Sequence, residues 1–499
     1  MAHRVSGIDA AFLYGETPSW HMHVSAVMVV DPTVASRPFT LDAFSRHLES
    51  RLHLVPQFRW RLVEVPLGLD RPVFVEDTRF DITNHLHRIT LPAPGSDEQL
   101  GNLVGELVGR KIDRSRPLWE MWLVEGLAGG RKAVVAKIHH AIVDGITGSE
   151  IATLLMDLEP DPPPPPDAPE GPASPEDLDV VGDDPTPSEL VVRGLTYAAL
   201  TPVRTGQFLV QTARQVAQLV PLRRRPRPAP VPFQAPRVSF NAELTPRRRF
   251  AFASVPLAEV RRLKDHAGVK VNDVVLALCA GALRRYLLNR RELPDAPLIA
   301  QVPVSMRAQG DTEVGTKVAA MFTSLATDVA DPLERLAAIA EGTRSAKEMQ
   351  QALAAEKIMG ISETAPPALI DLAARMYTLA GLDRGIPPLM NTIISNVPGP
   401  PFPIWCAGSP VEALYPMGPL LYGCGLNITV FSYRDQVDVG FLVCPDLVPH
   451  PWRLAEGIHD ALDELSAVSG GRPAGGPGAT GTSGDGGTAP LGGAPGTGG

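Results

Sequence analysis

A run of five consecutive prolines, Pro162–Pro166, interrupts this chain of 499 residues and constrains its fold more than any other feature. Proline has no amide hydrogen and a fixed φ angle, so such a run is excluded from helices and inner strands and favours extended polyproline II structure. A chain of this length also exceeds what one hydrophobic core can hold. We therefore predict a first subdomain over residues 1–158, a Pro-rich linker and crossover-helix region over 159–238, and a second subdomain over 239–469.

The C-terminal segment, residues 470–499, consists almost entirely of Gly, Ala, Pro, Thr and Ser. Because it carries few large apolar side chains, the burial that it could achieve does not offset the entropy lost on ordering. We predict that this segment is a disordered tail outside both subdomains.

The overall composition suits a globular protein, with 44% apolar and 20% charged residues. The net charge of -9 lacks the basic excess of nucleic-acid-binding proteins, so we expect no nucleic-acid partner. The four cysteines show no CxxC spacing, which predicts small buried residues in a reduced protein. The N-terminus shows no apolar h-region of a signal peptide, and no apolar stretch has the length of a membrane span. We therefore expect a cytoplasmic protein that meets lipid, if at all, at the inner membrane or at lipid droplets.

Helix-like and strand-like periodicities alternate in both halves of the chain. In the first half we predict strands at Met22–Val30, Trp119–Glu125 and Ala133–Ile138, and helices at Thr40–Leu54, after the cap residue Ser96, and at Thr147–Leu158. In the second half we predict helices at Leu257–His266 and Asp273–Leu288, and strands at Leu298–Val304, Thr392–Val397, Leu426–Tyr433 and Val437–Val443. This alternation predicts an α/β or α+β fold.

The sequence HHAIVDG, from His139 to Gly145, directly follows a predicted strand and precedes a predicted helix. A loop at a strand end is a place where a rigid scaffold can present a reactive side chain. Histidine exchanges a proton near neutral pH, which suits His140 or His139 to general-base chemistry. Asp144 can orient an imidazole or anchor the loop, and Gly145 permits a tight turn.

Three other interpretations of the histidine pair are possible. A metal site is disfavoured because adjacent histidines usually point in different directions and the spacing differs from HExxH. A buried, hydrogen-bonded structural pair at the strand end remains an alternative on the spacing alone. A serine or cysteine nucleophile has little support, since the chain has no GxSxG sequence and no cysteine near a histidine. We predict no metal ion and no permanently bound cofactor.

The HHxxxDG pattern resembles the motif of CoA-dependent acyltransferases, and the surrounding sequence is similar to the bacterial wax ester synthase/diacylglycerol acyltransferase family. HHxxxDG alone is moderately specific, because condensation domains share it, whereas the ordered set of motifs is far more specific. The resemblance extends from Val5 to about Val468. The other segments that carry it are Ser6–Phe12, Met22–Val24, Pro117–Trp119, Val271–Val274, Pro303–Arg307, Ser395–Pro400 and Gly425–Ile428.

This resemblance implies two chloramphenicol acetyltransferase-like subdomains with a tunnel at their interface. It implies that His140 is the general base, that His139 supports the loop, and that acyl-CoA is the co-substrate. His140 would take the proton from an acceptor hydroxyl as its oxygen attacks the thioester carbonyl, and would then protonate the departing thiolate. Such direct transfer involves no covalent enzyme intermediate and no metal.

The other candidate residues, for substrate binding or oxyanion stabilisation, are Asn272, Ser305 and Arg307. The developing oxyanion needs a hydrogen-bond donor, for which Asn272, Ser305 and a backbone N–H group are candidates. Asn272 and the following Asp273 are also typical helix-capping residues. We expect Asp144 to be structural, either paired with Arg307 across the interface or with a local partner.

The function that the resemblance implies is acylation of diacylglycerol to triacylglycerol, together with conversion of long-chain alcohols to wax esters. The partners would be acyl-CoA and a lipid alcohol. Two alternatives are acyl transfer to another hydroxylated metabolite and a weakly active protein that coats stored lipid. The intact HHxxxDG sequence disfavours the coat protein, because a passive coat does not need a general base.

Overall fold

A computed structural model gives the fold of this protein and describes residues 2–66, 70–143, 154–162, 186, 189, 233–305, 318–354 and 387–470. The α-helices within these residues are α1 (Gly7–Gly15), α2 (Leu41–Glu49), α3 (Asp97–Val108), α4 (Leu257–Ala267), α5 (Val271–Arg290), α6 (Pro332–Ala354) and α7 (Trp452–Val468). The strands within them are β1 (Ala2–Arg4), β2 (His23–Val30), β3 (Trp60–Val63), β4 (Val73–Glu76), β5 (Leu86–Thr90), β6 (Trp119–Glu125), β7 (Lys132–His139), β8 (Arg249–Pro256), β9 (Ile299–Ser305), β10 (Val318–Ser324), β11 (Thr392–Pro398), β12 (Trp405–Cys406), β13 (Ser409–Met417), β14 (Leu426–Tyr433) and β15 (Gln436–Val443).

Two six-stranded sheets form the body of the molecule. The first sheet has the order β12-β13-β2-β7-β6-β5, and the second has the order β10-β9-β11-β14-β15-β8. Both are mixed, since β5 runs parallel to β6 in the first sheet and β11 runs parallel to β9 and β14 in the second. A small third sheet has the order β1-β4-β3. Mixed sheets with associated helices confirm the predicted α/β (α+β) class.

The first sheet is completed by the later half of the chain. Strand β13 pairs antiparallel with β2, from Met417 opposite Ser25 to Val411 opposite Val30. Conversely, helix α3 belongs to the first half of the chain but packs on β8 of the second sheet. Each half of the chain therefore contributes an element that pairs with or packs on the sheet of the other half. The subdomain boundaries at residues 158 and 239 stay predictions.

Several elements begin where the sequence predicts them, for local reasons. Ser96 accepts a hydrogen bond from the Gln99 amide, while the Gln99 side chain accepts one from the Ser96 amide, which is a capping box at the start of α3. Strand β6 has the predicted bounds, and both of its tryptophans are core residues, with Trp119 0% and Trp122 7% exposed. The four cysteines are buried and free, as predicted.

The core of the second sheet surrounds α5, which contacts α4, α6 and α7. Most of its side chains from Asp273 to Leu287 are buried, which is typical of a central helix. Within the described residues no single helix is both long and apolar enough to span a bilayer, although α4 and α5 meet the criteria of length and composition as a pair bent by 105°.

Some predicted features lie outside the described residues. The tail after Gly470 and nearly all of the Pro-rich linker and crossover-helix region are among them. Of the helix predicted at Thr147–Leu158, only Leu154 to Leu158 are described. The predicted end at Leu158 is wrong, because the helix stops after Leu155 and Asp157 pairs with Trp405 as an isolated β-bridge. The assignments outside the described residues stay predictions.

Candidate active site

The histidine pair lies at the end of β7, in the interior of the first sheet, with β2 on one side and β6 on the other. The His139 amide donates a hydrogen bond to the Leu118 carbonyl at 2.9 Å, and the His140 amide donates one to the Met22 carbonyl at 2.8 Å. A short 3-10 turn, His140–Ile142, follows at once. Hydrogen bonds from both flanks therefore fix the backbone at the predicted strand end.

The two imidazole rings have different surroundings. His139 is 1% exposed, its Nδ1 accepts a hydrogen bond from the Ala141 amide at 3.1 Å, and its Nε2 lies 3.2 Å from Oε1 of Glu16. Because Nδ1 is an acceptor, the proton of the neutral ring resides on Nε2, facing the carboxylate. His140 is only half-buried, and its ring meets Phe12 edge-on at a centroid distance of 4.9 Å.

Glu16, which the sequence motifs did not reveal, is a buried carboxylate that contacts His139 and two cationic side chains. It caps the C-terminus of α1, and its side chain is 1% exposed. Its Oε1 accepts a hydrogen bond from the Met22 amide at 3.1 Å, and its Oε2 lies 2.9 Å from Nη2 of Arg114 and 3.4 Å from Nζ of Lys111. Burial raises the pKa of Glu16, but its contacts with His139, His23 and the Met22 amide outweigh that effect, so the pKa is lowered overall.

Two more histidines border Glu16. His23 lies directly opposite His139 in the pairing of β2 with β7, and its Nε2 is 3.6 Å from Oε1 of Glu16. The His21 ring stacks on the His23 ring at a centroid distance of 5.2 Å. Burial lowers the pKa of both rings, that of His23 well below its usual value. Both rings are therefore neutral at physiological pH, and the charge of Glu16 is balanced by Arg114 and Lys111.

One signal in the sequence could have identified Glu16. It follows Phe12 by four residues and comes directly after the helix that carries the motif Ser6–Phe12. An acidic residue at a helix C-terminus is opposed by the helix dipole unless cations compensate for it. The distant residues that do so are not recognisable from the sequence.

The second half of the chain contributes Asn272, in the first turn of α5. Of the two residues considered as caps, only Asp273 caps the helix, since its Oδ2 accepts a hydrogen bond from the Lys270 amide at 3.0 Å. The capping interpretation is therefore wrong for Asn272. Its Oδ1 instead accepts a hydrogen bond from Nδ2 of Asn396, on β11, at 3.1 Å. That bond leaves the amide hydrogens of Asn272 available to other groups.

The other candidate residues are placed less fully. Ser305 is the last residue of β9. Asp144, Gly145 and Arg307 lie outside the described residues, so their roles stay predictions. Across the part of the chain that is described, no three His, Cys, Asp or Glu side chains form a group that could hold a metal ion.

Family models match most of this chain. The model of the wax ester synthase/diacylglycerol acyltransferase catalytic domain matches residues 5–275, and that of the family's C-terminal domain matches residues 314–466. Two Mycobacterium tuberculosis proteins that carry the name diacylglycerol O-acyltransferase are 37% and 36% identical to this chain. The alignments cover 95% and 94% of this chain and 92% and 96% of the relatives.

Solved structures show the same relationship. The wax ester synthase/diacylglycerol acyltransferase from Marinobacter aquaeolei VT8 superimposes with a TM-score of 0.66 at 29% identity, covering 94% of this chain and all of that chain. The trichothecene 15-O-acetyltransferase from Fusarium sporotrichioides shares the fold, with a TM-score of 0.56 at 11% identity over 93% of this chain and 95% of its own. These similarities confirm the fold class predicted from the sequence. The chain belongs to the wax ester synthase/diacylglycerol acyltransferase family.

Proposed function

We propose that this protein is an acyl-CoA-dependent O-acyltransferase that converts diacylglycerol to triacylglycerol and long-chain alcohols to wax esters. The observation that carries the proposal is the contrast between the two histidines at the end of β7. His139 is fully buried with both ring nitrogens facing neighbours, whereas His140 is half-buried on a backbone fixed from both sides. A general base must reach its substrate, which favours His140.

The reaction proceeds by direct transfer. His140 removes the proton from the acceptor hydroxyl while the hydroxyl oxygen forms a bond to the thioester carbonyl carbon. The tetrahedral intermediate then collapses, the carbon–sulfur bond breaks, and the imidazolium of His140 returns the proton to the CoA thiolate. The products are an ester and free CoA, and the enzyme regains its starting protonation state without an acyl-enzyme intermediate.

The developing oxyanion requires a donor from this chain. Asn272 is the better supported candidate, because its bond to Asn396 occupies the carbonyl oxygen and leaves the N–H groups available. Ser305, at the end of β9, is the second candidate. Asp144 and Gly145 shape the turn after His140 in this proposal, with Arg307 as the partner of Asp144.

The substrates determine where the enzyme works. Acyl-CoA is water-soluble enough to arrive from the cytoplasm, whereas diacylglycerol and fatty alcohols reside in membranes and lipid droplets. We therefore place the enzyme in the cytoplasm, with its acceptor taken up at the inner membrane or at a droplet surface. No bound cofactor or metal takes part in the proposed chemistry.

The decisive experiment compares purified wild-type protein with His140→Ala and with the matched control His266→Ala, which removes an exposed histidine on α4. Labelled palmitoyl-CoA is supplied with diacylglycerol or hexadecanol, and both CoA release and ester formation are measured. We expect His140→Ala to lower kcat about 100- to 10,000-fold, and the control to match wild type. Equal rates in His140→Ala and wild type would refute the proposal, as would an acylated protein detected by mass spectrometry in the absence of acceptor.

A further inference from the structure

One oxygen atom of Glu16 contacts two residues next to His140: Met22, on the neighbouring segment of the sheet, and His139, the preceding residue. The Met22 amide donates to Oε1 of Glu16 at 3.1 Å, and the Met22 carbonyl accepts the hydrogen bond of the His140 amide at 2.8 Å. On the other side, Nε2 of His139 lies 3.2 Å from the same Oε1. The carboxylate is thus connected to the His140 backbone through Met22, the residue before β2, and through His139, the last residue of β7.

The contact with His139 also fixes the turn that follows. Nδ1 of His139 accepts the hydrogen bond of the Ala141 amide at 3.1 Å, so His139 must carry its proton on Nε2. A carboxylate facing Nε2 stabilises that tautomer. Glu16 therefore holds Ala141, the residue after His140, through the ring of His139.

The same helix also supports the ring of His140. Phe12 lies on α1 and Glu16, four residues later, is the C-cap of this helix, and Phe12 meets the His140 ring edge-on. The position of α1 is fixed in turn by Arg114, whose Nη2 donates to the Leu13 carbonyl and to Oε2 of Glu16. One helix thus contacts the reactive ring and the backbone that carries it.

The charge of Glu16 is stable in its buried position because cations accompany it. Arg114 and Lys111 face Oε2, whereas His23, His139 and the Met22 amide face Oε1. A buried carboxylate without such partners costs several kcal/mol. The lowered pKa of Glu16 keeps the group ionised at neutral pH.

We propose that Glu16 is a positioning residue for acyl transfer, which holds His140 in place through Met22 and through the tautomer of His139. This role rests on the proposed function of His140. The substitution Glu16→Gln tests it with little change of shape. Because Arg114 and Lys111 attract the amide oxygen, the glutamine NH2 group turns toward Nε2 of His139. That arrangement favours a proton on Nδ1 of His139, where it would face the hydrogen of the Ala141 amide and break their hydrogen bond.

The matched control is Glu64→Gln. Oε1 of Glu64 lies 3.7 Å from Nη1 of the same Arg114, but its side chain is 53% exposed, whereas that of Glu16 is 1% exposed. We expect Glu16→Gln to lower kcat about 10- to 100-fold with little change in the KM for palmitoyl-CoA, whereas the control retains the wild-type kcat. A wild-type kcat in Glu16→Gln would overturn the positioning role.

Nitrogen-15 NMR of histidine side chains supplies a readout that does not depend on activity. The wild-type spectrum should show the Nε2–H tautomer for His139, assigned with the variant His139→Gln, and Glu16→Gln should shift that signal toward the Nδ1–H tautomer. An unchanged tautomer would contradict the proposal. If Glu16→Gln fails to fold, Glu16→Asp keeps the charge but shortens the reach, and the same loss of kcat and loss of the Nε2–H signal are expected.

A double-mutant cycle completes the test. If Glu16 acts through His139, the effects of Glu16→Gln and His139→Gln on kcat are not additive, whereas additive effects would contradict the connection. The His140→Ala assay reports separately on the proposed function. Wild-type turnover in His140→Ala would reject His140 as the general base. A tautomer shift in Glu16→Gln would in that case still support the contact between Glu16 and His139.

Discussion

Two neighbouring histidines in this protein have different surroundings because each lies in a different local structure. His139 ends β7 and is enclosed between β2 and β6, whereas His140 opens the 3-10 turn and keeps part of its surface accessible. A supporting histidine is defined by what binds both of its nitrogens, and a catalytic base by what it can reach. The difference in burial supports His140 as the base and His139 as its support.

At the scale of a residue, the structure allows a direct test of Asn272. The substitution Asn272→Asp keeps an acceptor for Nδ2 of Asn396 and removes the amide hydrogens. Loss of one oxyanion donor typically costs about 3 to 4 kcal/mol, so we expect kcat to fall about 100-fold or more. Helix α5 should remain intact, because Asp273 caps it. Steady-state kinetics and thermal unfolding measure both effects, and a wild-type kcat would remove Asn272 from the list of donors.

At the scale of elements, the contact between α3 and β8 depends on two glycines of α3, which have no side chain. Gly101 and Gly105 are one helical turn apart, and both face the backbone of β8 or the residue before it. A Cβ atom at Gly105 would lie 2.5 Å from the Arg248 carbonyl oxygen and 2.8 Å from the Arg249 Cα. Both obstacles are backbone atoms, which cannot move without shifting the strand. These glycines allow an element of the first half to approach the second sheet.

This contact predicts an unusual response to a helix-stabilising substitution. Gly105→Ala should destabilise the protein by about 1 to 3 kcal/mol, because overpacking exceeds the gain in helix propensity. The matched control is Gly342→Ala in α6, where the nearest atom to a new Cβ is the Thr323 hydroxyl oxygen at 3.4 Å. We expect the control to be neutral or stabilising by up to about 1 kcal/mol. Urea unfolding compares the two variants, and equal stabilities would contradict the close approach of α3 and β8.

At the scale of the whole molecule, one buried carboxyl group joins the two large sheets. Asp438 lies on β15 and is 0% exposed. Its Oδ1 accepts a hydrogen bond from the hydroxyl of Ser254, on β8, and its Oδ2 accepts one from the amide of Leu414, on β13 of the first sheet. Burial raises the pKa of Asp438 from 3.8 to about 6, although both hydrogen bonds oppose the shift.

The raised pKa predicts a dependence of stability on pH. Folded Asp438 retains its proton to a higher pH than the unfolded chain does, so its contribution to the free energy of unfolding falls between about pH 4 and pH 6 and stays low above that range. The full effect of such a shift is about 3 kcal/mol. Asp438→Asn keeps the shape and removes this titration. We expect its stability relative to wild type to increase as the pH rises from 4 to 8.

Denaturant unfolding at several pH values measures this difference. The matched control is Asp328→Asn, which removes an exposed carboxylate from the turn after β10. It should follow the wild-type pH profile, because it leaves Asp438 in place. Parallel profiles for wild type and Asp438→Asn would show that the buried carboxyl group does not titrate in this window.

Local patterns in the sequence determined much of this protein before its tertiary structure was considered. The largely apolar run of β6, the capping box at Ser96 and the histidine pair at the end of a strand depend on residues near one another in the chain. Short-range periodicity and capping chemistry can therefore be recognised directly. The ordered motifs likewise identified the family that the comparisons confirm.

Only the tertiary structure decided which distant segments meet. The approach of Glu16 to His139, the pairing of β13 with β2 and the contact of α3 with β8 each join residues far apart in the chain. Local propensity does not specify such pairings, because they arise from the packing of complete elements and the closure of long loops. For the same reason, the sequence identified His140 as a candidate base but not the carboxylate behind it.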